Sequence, residues 1–368
     1  MSGLCPGMKW GRGDETHASH ESEQRERAVP PRTYQGPTGC TGGTARAPFP
    51  FPRLAPRTRR AYADGIRDPE GPMAQRSKSH PDNTPGPWFV DTTCIDCGTC
   101  YQYLPWVFRA AGDHSRVARQ PEGPTDRFQA LKALLACPTG SIGSADQAGL
   151  PEARTAFPEP IEDEVAFCGF TSPDSFGAWS YFIRREAGNV LVDSPRAAPD
   201  LLGRLEALGG VQLMVLSHRD DVADHARFQQ RFQCRRILHQ ADLDAGTAGV
   251  EQPVGGDEPV RLAPDLLLIP TPGHTAGSAC LLYRNKFLFT GDHLWWSARL
   301  NRLSASRDHC WHHWPTQLAS LERLLAFDFT WVLPGHGSAH RAGTPAAMRA
   351  DLADAIGCMR QAGAGATT

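Results

Sequence analysis

The sequence predicts an α+β protein with two folded modules behind a long polar N-terminal segment. Three observations support this prediction. Residues 1–72 are rich in Arg, Gly, Pro, Ser and Glu and show no sustained apolar periodicity. Residues 86–145 contain a tight cysteine pattern. From residue 165 onward, short apolar segments typical of strands alternate with amphipathic segments typical of helices.

The N-terminal segment has too few aliphatic residues to offset the entropy lost on folding, so we expect residues 1–85 to be a disordered tail. Met73 opens a more ordinary stretch and is a candidate native start. The segment has no apolar run behind its charges, which a secretory signal requires. It is rich in Arg, but its acidic residues, such as Glu21 and Glu23, count against a transit peptide.

Composition narrows the class of protein. The 368-residue chain has a formal net charge of −2, which indicates neither a nucleic-acid partner nor an anionic membrane surface. Its apolar segments, such as Leu266–Ile269, are too short to span a bilayer. Four of the eleven cysteines form a metal-binding pattern and the rest are scattered, which favours a reducing compartment. We therefore expect a cytoplasmic protein with a small-molecule substrate; the sequence does not indicate an oligomeric state.

The cysteine module is built on the sequence C-I-D-C-G-T-C, which contains Cys94, Cys97 and Cys100. A fourth cysteine, Cys137, lies further along the chain and is followed by proline. Three thiolates on one loop and a distant fourth can surround one iron–sulfur cluster. The alternative is a structural zinc site with four cysteines. Zinc ribbons, however, normally pair two C-x-x-C segments, whereas here three cysteines share one loop.

Residues 88–143 resemble the single-cluster bacterial ferredoxins, with all four cysteine ligands present. The resemblance implies a 4Fe-4S cluster, and a 3Fe-4S form is the alternative. We expect Leu131–Leu135 to form a helix that covers the cluster. The ferredoxin-like domain is predicted over residues 86–145, and the acidic, proline-containing segment 146–164 is predicted to be a linker.

Four segments of the larger module each place a His or an Asp just after an apolar strand. These segments are L-S-H-R-D-D-V-A-D-H, P-T-P-G-H-T, F-L-F-T-G-D-H and V-L-P-G-H-G. Imidazole and carboxylate groups suit zinc, iron or manganese. One carboxylate between two such groups can bridge two metals.

In order and residue type, these segments resemble the metallo-β-lactamase superfamily over residues 165–345. The resemblance implies a four-layer αββα sandwich with two metals in a cleft between the sheets, followed by a C-terminal helix and tail over residues 346–368. It implies a structural role for Asp193 and a bridging role for Asp292. The metal ligands implied by the matching motifs are His218, Asp224, His225, His274, Asp292 and His336.

One loop departs from the superfamily pattern. Between His218 and Asp224 the chain is two residues longer than usual, and the second His of the motif is missing. Asp220 or Asp221 stands in its place, and we expect Asp220 to serve the first metal. The second metal would then be held by Asp224 with His225, Asp292 and His336. The simpler alternative is that Asp224 only caps a helix that starts at the next residue.

Two reactions fit such a site. In a metal-dependent hydrolase, two zinc or iron ions activate water for attack on an ester, thioester or phosphoester, and Asp224 orients this water or accepts its proton. In a di-iron oxidoreductase, the fused cluster passes on electrons from a redox partner. The resemblance to flavodiiron proteins, which carry a carboxylate at the position of the missing His, favours this alternative, although no flavin-binding domain is present. We expect the hydrolase. A cluster-based sensor with a degenerate catalytic domain fits least well, because the ligand set is nearly complete.

Overall fold

The computed structural model describes residues 74–364, with side chains to residue 361. The first 73 residues of the disordered tail expected over residues 1–85 lie outside this range. Residues 74–85, which were expected to belong to that tail, pack on the cysteine module. The side-chain oxygen of Asn83 accepts hydrogen bonds from the backbone of Val90 and Val117 at 3.0 and 2.9 Å. Such hydrogen bonds to the backbone can order a polar segment that buries little apolar surface. The amino-acid composition therefore did not predict that residues 74–85 are ordered.

Two small antiparallel ribbons and a long helix form the cysteine module. Strand β1 pairs with β4, and β2 pairs with β3. The helix predicted to cover the cluster is confirmed as part of α2, which has a proline in its first turn, where the missing N–H costs no hydrogen bond. The elements are β1 (Trp88–Val90), α1 (Thr99–Tyr103), β2 (Phe108–Ala110), β3 (Ser115–Val117), α2 (Gly123–Ala136) and β4 (Ile142–Ser144).

A seven-stranded sheet follows, with the strand order β11-β10-β9-β8-β7-β6-β5. Its elements are α3 (Leu150–Thr155), β5 (Glu159–Glu162), β6 (Val165–Phe167), β7 (Tyr181–Ile183), β8 (Val190–Val192), α4 (Pro199–Ala207), β9 (Leu213–Val215), α5 (His225–Phe232), β10 (Arg235–His239) and β11 (Gln252–Val254). The segment predicted to be a linker contains α3 and the edge strand β5. Pro160 suits an edge strand, because an edge strand tolerates the loss of a backbone donor.

A six-stranded sheet is formed by the remaining chain, with the strand order β12-β13-β14-β15-β18-β19. The elements are β12 (Val260–Ala263), β13 (Leu266–Pro270), β14 (Ala279–Tyr283), β15 (Phe287–Gly291), β16 (Trp295–Ser297), β17 (Arg302–Ser304), α6 (Trp314–Leu324), β18 (Trp331–Pro334), β19 (His340–Arg341) and α7 (Pro345–Ala364). No helix within residues 74–364 is long and apolar enough to cross a membrane.

The apolar clusters show how these elements are layered. One buried cluster joins the two sheets face to face and includes Val192 and Val215 from the first sheet with Leu281 and Phe289 from the second. A second cluster packs α6 and α7 on the outer face of the six-stranded sheet. A third covers the outer face of the seven-stranded sheet with α4 and α5. The αββα sandwich of the metallo-β-lactamase fold is therefore confirmed.

The cysteine module belongs to the same core as the first sheet. The third cluster contains Leu131 and Phe108 from the module together with Leu191 and Leu201 from the sandwich. Burial of apolar surface from both parts in one cluster stabilises their contact. The two modules therefore form a continuous hydrophobic core.

Candidate metal centres

The metal-binding motifs of the sandwich meet at the ends of four strands. His218 follows β9, and His274 follows β13 in the opposite sheet. Asp292 comes directly after β15, and His336 comes two residues after β18. Since β15 and β18 are parallel neighbours, their carboxyl ends lie at the same edge of the sheet. The fold thus brings residues from distant parts of the sequence to one place.

The first ligand group consists of His218, His274 and Asp292. The Nε2 atoms of both imidazoles lie 3.8 Å from Asp292 Oδ2. Two ligands of one tetrahedral zinc ion, each about 2.1 Å from it, are about 3.4 Å apart, so these separations suit a shared ion. Asp220 Oδ2 lies 3.6 Å from His274 Nε2 and 3.9 Å from His218 Nε2, so Asp220 faces this group. Its role as a ligand of the first metal stays a prediction.

The second ligand group consists of Asp221, Asp292 and His336. His336 Nε2 also lies 3.8 Å from Asp292 Oδ2, which places Asp292 between the two groups. Gly335 leaves room for the carboxylates, because a Cβ at this position would lie 2.6 Å from Asp221 Oδ2 and 2.9 Å from Asp292 Oδ1. Together the two groups have the geometry of a two-metal site with one shared carboxylate.

Buried atoms without hydrogen-bond partners test whether metals fit these groups. His218 Nε2, His274 Nε2, Asp221 Oδ2 and Asp292 Oδ1 are all buried and unpartnered. Each such atom costs about 1–3 kcal/mol when it is left unsatisfied. Because all four belong to the two ligand groups and are metal-ligating types, bound cations would satisfy them. The residues present therefore fit a pair of metal ions.

The two aspartates of the altered loop differ in their electrostatics. Burial, followed by repulsion from Asp292, raises the pKa of Asp221 well above its usual range. Burial also acts on Asp220, but the nearby imidazoles of His274 and His218 outweigh burial and lower its pKa. Asp292 is likewise buried, and the imidazoles of His336 and His218 outweigh that burial and lower its pKa. Asp220 is thus an ionised carboxylate, and its side chain is 45% exposed.

Asp224 and His225 are not brought into either ligand group. Asp224 Oδ2 accepts a hydrogen bond from the backbone of Ala197 at 2.8 Å. His225 Nδ1 lies 2.9 Å from Nη1 of Arg236, and this guanidinium can only donate. Helix α5 does begin at His225, with Asp224 as the residue before it, but the Asp224 side chain makes no capping hydrogen bond. The ligand and catalytic roles predicted for these two residues remain predictions.

Three polar residues support the first group, and two of them were missed from the sequence. Ser217 Oγ lies 2.9 Å from His218 Nδ1, which leaves Nε2 to face the site. Asp193, the predicted structural residue, accepts a hydrogen bond from the Ser217 backbone at 2.7 Å. Asp242 accepts from the Arg219 backbone at 3.0 Å and from the Gly277 backbone at 2.7 Å. No sequence motif predicts a role for Ser217 or Asp242, because their roles depend on contacts between loops that are distant in the sequence.

A loop at residues 306–313 covers the side of His274. The backbone amides of Trp311 and His312 donate to the carbonyl oxygen of His274 at 2.8 and 3.1 Å. The indole ring of Trp311 lies 6.3 Å from the His274 ring and is 54% exposed. Ser306 Oγ lies 2.7 Å from His309 Nδ1. The loop therefore presents an exposed aromatic side chain next to the first ligand group.

The four predicted cluster cysteines line one cavity, together with Val90, Ile142 and Pro138. All four are free thiols. Burial raises the pKa of Cys97 to about 12 and also raises the pKa of Cys100. A coordinating cation deprotonates such thiols outright. Four thiols around one apolar cavity therefore fit an iron–sulfur cluster.

A further group, His80, Asp82 and His114, has ligand atoms close enough to hold an ion. Its geometry has a simpler explanation. The two imidazole rings stack with centroids 3.7 Å apart and planes 12° apart, so their in-plane nitrogen lone pairs cannot converge on one ion. His114 already bonds Asp82 at 3.2 Å and Asp113 at 3.0 Å. We assign this group to an ion pair.

Comparison with known proteins agrees with the cysteine module. Residues 90–144 match the family model described as the 4Fe-4S single cluster domain of Ferredoxin I. This part of the chain is therefore a single-cluster ferredoxin domain. No curated protein matches the sequence significantly.

Several solved structures are similar to this chain at identities below 25%, and one of them is described as a metallo-β-lactamase superfamily protein. ETHE1 from Myxococcus xanthus is 22% identical with a TM-score of 0.39, and the match covers 53% of this chain and 89% of that one. The superfamily protein ST1585 from Sulfolobus tokodaii is 18% identical with a TM-score of 0.37, covering 52% and 86%. TTHA1623, in a di-iron-bound form, is 24% identical with a TM-score of 0.36, covering 45% and 89%. The chain therefore contains a region that matches a ferredoxin domain, followed by the αββα sandwich described above.

Proposed function

We propose that this protein is a two-metal hydrolase of the metallo-β-lactamase superfamily that acts on a small-molecule ester, thioester or phosphoester. The observation that carries the proposal is the pair of ligand groups that share Asp292. His218 and His274 would hold one metal with Asp292, and Asp221 and His336 would hold the other. When bound, two such metals supply an activated water and polarise the oxygen of the substrate.

In this proposal Asp221 replaces Asp224 as a ligand of the second metal. Burial raises the pKa of the Asp221 carboxyl, and a bound cation would favour its ionised form. Asp292 lies between the groups and keeps a lowered pKa, as a bridging carboxylate needs. The altered loop therefore preserves two metal positions by using adjacent aspartates in place of the usual ligands.

Asp220 is the group best suited to accept the proton of the attacking water. It is ionised, partly exposed and 3.6 Å from His274 Nε2, so it lies at the opening of the site. A general base needs an unprotonated oxygen within reach of the reacting water. Trp311, exposed beside His274, would contact the apolar part of a substrate.

The test is a hydrolysis screen with anaerobically purified protein of known zinc and iron content. We expect turnover of at least one ester, thioester or phosphoester substrate, with Asp220→Asn lowering kcat by about 100-fold or more while metal content stays unchanged. Asp308→Asn is the matched control, since Asp308 lies in the neighbouring loop outside both ligand groups. Activity that is equal in both variants would remove Asp220 from the mechanism, and full metal loading without hydrolysis would contradict the proposal.

A di-iron oxidoreductase is the second candidate, and the donor set favours it. Three carboxylates and three imidazoles face the two positions, and the first group has the two-His, one-carboxylate composition of non-haem iron sites. A redox partner would supply electrons through the ferredoxin domain. Iron and zinc analysis with EPR before and after reduction decides between the two candidates. A coupled di-iron signal favours the oxidoreductase, and zinc in the sandwich contradicts it.

A further inference from the structure

The segment Ser172–Trp179, which we call the bridging turn, contacts both metal centres. On the ferredoxin side, Thr99 Oγ1 donates a hydrogen bond to the carbonyl oxygen of Gly177 at 2.9 Å. A Cβ on Gly177 would lie 2.8 Å from the Sγ of Cys97, so the turn packs directly against a cluster ligand. The bridging turn is therefore in direct contact with the loop that carries the cluster cysteines.

On the sandwich side, the same turn holds the loop that carries His336. The Phe176 ring lies 6.2 Å from the His336 ring, centroid to centroid. The backbone amide of Trp179 donates to the carbonyl oxygen of Gly335 at 2.7 Å. Two contacts thus fix the ring and the backbone at this ligand.

His336 depends on these contacts more than the other histidines do. Its side chain is 26% exposed, against 1% for His218 and 3% for His274. His218 is also oriented by Ser217, whereas no hydrogen bond within residues 74–364 reaches the His336 ring. A metal-binding imidazole is normally oriented by a partner on its second nitrogen. For His336, the packing of Phe176 takes over that role.

The bridging turn is closed by its own hydrogen bonds. The Gly177 amide donates to the Ser172 carbonyl at 2.8 Å, and the Ala178 amide donates to the Ser175 carbonyl at 2.9 Å. Phe176 has a φ of +49°, a conformation that a bulky residue keeps only when its surroundings impose it. Hydrogen bonds within the turn therefore connect the residues that contact Cys97 to those beside His336.

We propose that the ferredoxin domain sets the metal affinity of the second ligand group, because a cluster on Cys97 fixes the bridging turn and the turn fixes His336. Binding energy coupled in this way is reciprocal, so metal at His336 also stabilises the cluster. The inference rests on the two-metal site proposed above and assigns the cluster a regulatory role: protein that loses its cluster also loses the second metal.

The experiment measures zinc affinity in full-length protein that carries its cluster and has been stripped anaerobically of the metals in the sandwich. Zinc is titrated against a chromophoric chelator. Wild-type protein should bind two ions. Thr99→Val removes the hydrogen bond to Gly177, and Phe176→Leu removes the ring beside His336. We expect both variants to bind the second ion about 10- to 100-fold more weakly and the first ion unchanged.

Thr139→Val is the matched control. Its hydroxyl lies 3.8 Å from Cys137 Sγ, as that of Thr99 lies 3.5 Å from Cys97 Sγ, but it bonds Ser141 within the ferredoxin domain. It should bind both ions like the wild type, and iron and sulfide per chain report the cluster content of every variant. The inference is overturned if all variants bind the second ion with equal affinity. The same holds if one of these variants has lost its cluster and still binds the second ion as tightly.

Two further outcomes separate this inference from the proposed function. If the wild type binds fewer than two ions, the two-metal site itself fails and the inference fails with it. Two tightly bound ions in every variant overturn the inference alone. If Thr99→Val does not fold, as judged by circular dichroism, Phe176→Leu decides the outcome, because Phe176 does not line the cavity of the cluster cysteines.

Discussion

Cys97 and Gly177 are in such close contact that a Cβ on Gly177 would lie 2.7 Å from the Cβ of Cys97. Gly177 also has a φ of +84°, so both space and backbone conformation require glycine here. The sequence does not indicate that these two residues are in contact, since they lie in different modules. This contact is where the cluster-binding loop meets the sandwich.

Replacing this glycine should remove the cluster. We expect Gly177→Ala to lower iron and sulfide per chain severalfold after anaerobic purification, because the new methyl group displaces Cys97. Gly112→Ala is the control, since Gly112 has a φ of +90° in the same module with nothing within 4 Å of a Cβ. Both variants place an alanine at a positive φ, which lowers the stability of each by about 1 kcal/mol. Equal iron content in the two would show that the contact does not constrain the cluster.

The two aspartates that compete for the second metal position can be separated by substitution. Asp221→Asn removes a ligand, and we expect the affinity for the second metal ion to fall by at least about 100-fold. Asp224→Asn should leave metal affinity within a small factor of the wild type, because Asp224 bonds the Ala197 backbone. Metal titration monitored by inductively coupled plasma analysis checks both. The reverse result would restore the assignment made from the sequence.

A partly buried ion pair links the ferredoxin domain to the first sheet. Lys132 Nζ lies 2.5 Å from Glu159 Oε1, and the side chains are 5% and 27% exposed. Because Glu159 stays partly solvated when its partner is lost, we expect Lys132→Met to lower the free energy of unfolding by about 1–3 kcal/mol. Arg127→Met, at a solvent-exposed pair with Asp146, should cost less than about 1 kcal/mol. Urea unfolding under anaerobic conditions measures both changes.

His114 should make stability depend on pH near neutrality. Partial burial acts to lower its pKa, but hydrogen bonds to Asp113 and Asp82 outweigh burial and raise the pKa above 6.5. A raised pKa in the folded state means that this contribution is fully present below 6.5 and is lost as pH rises through the higher value.

The measurement for His114 compares unfolding free energies of the wild type and His114→Gln. The stability advantage of the wild type should be larger at about pH 6 than at about pH 9. An advantage that is constant over this range, or that grows with pH, would contradict the raised pKa.

The sequence by itself was sufficient to predict the candidate metal-binding residues that occur at a regular spacing. Cys94, Cys97 and Cys100 lie on one loop, so their joint role follows from local spacing alone. The sandwich was predicted from the resemblance of four motif segments, in their order along the chain, to the metallo-β-lactamase superfamily. His218, His274, Asp292 and His336 each follow such a strand, and the fold brings all four together.

Only the tertiary structure decided which residues of the altered loop face the site. The sequence assigned Asp224 to the second metal by its motif and Asp220 to the first, but an inserted loop has no periodicity that fixes side-chain direction. Their directions depend on backbone partners such as Ala197, which lies 27 residues from Asp224. The same holds for the bridging turn. Its contacts join Cys97, Gly177 and His336, which are far apart in the chain, and long-range packing of this kind is set by the whole fold rather than by local sequence.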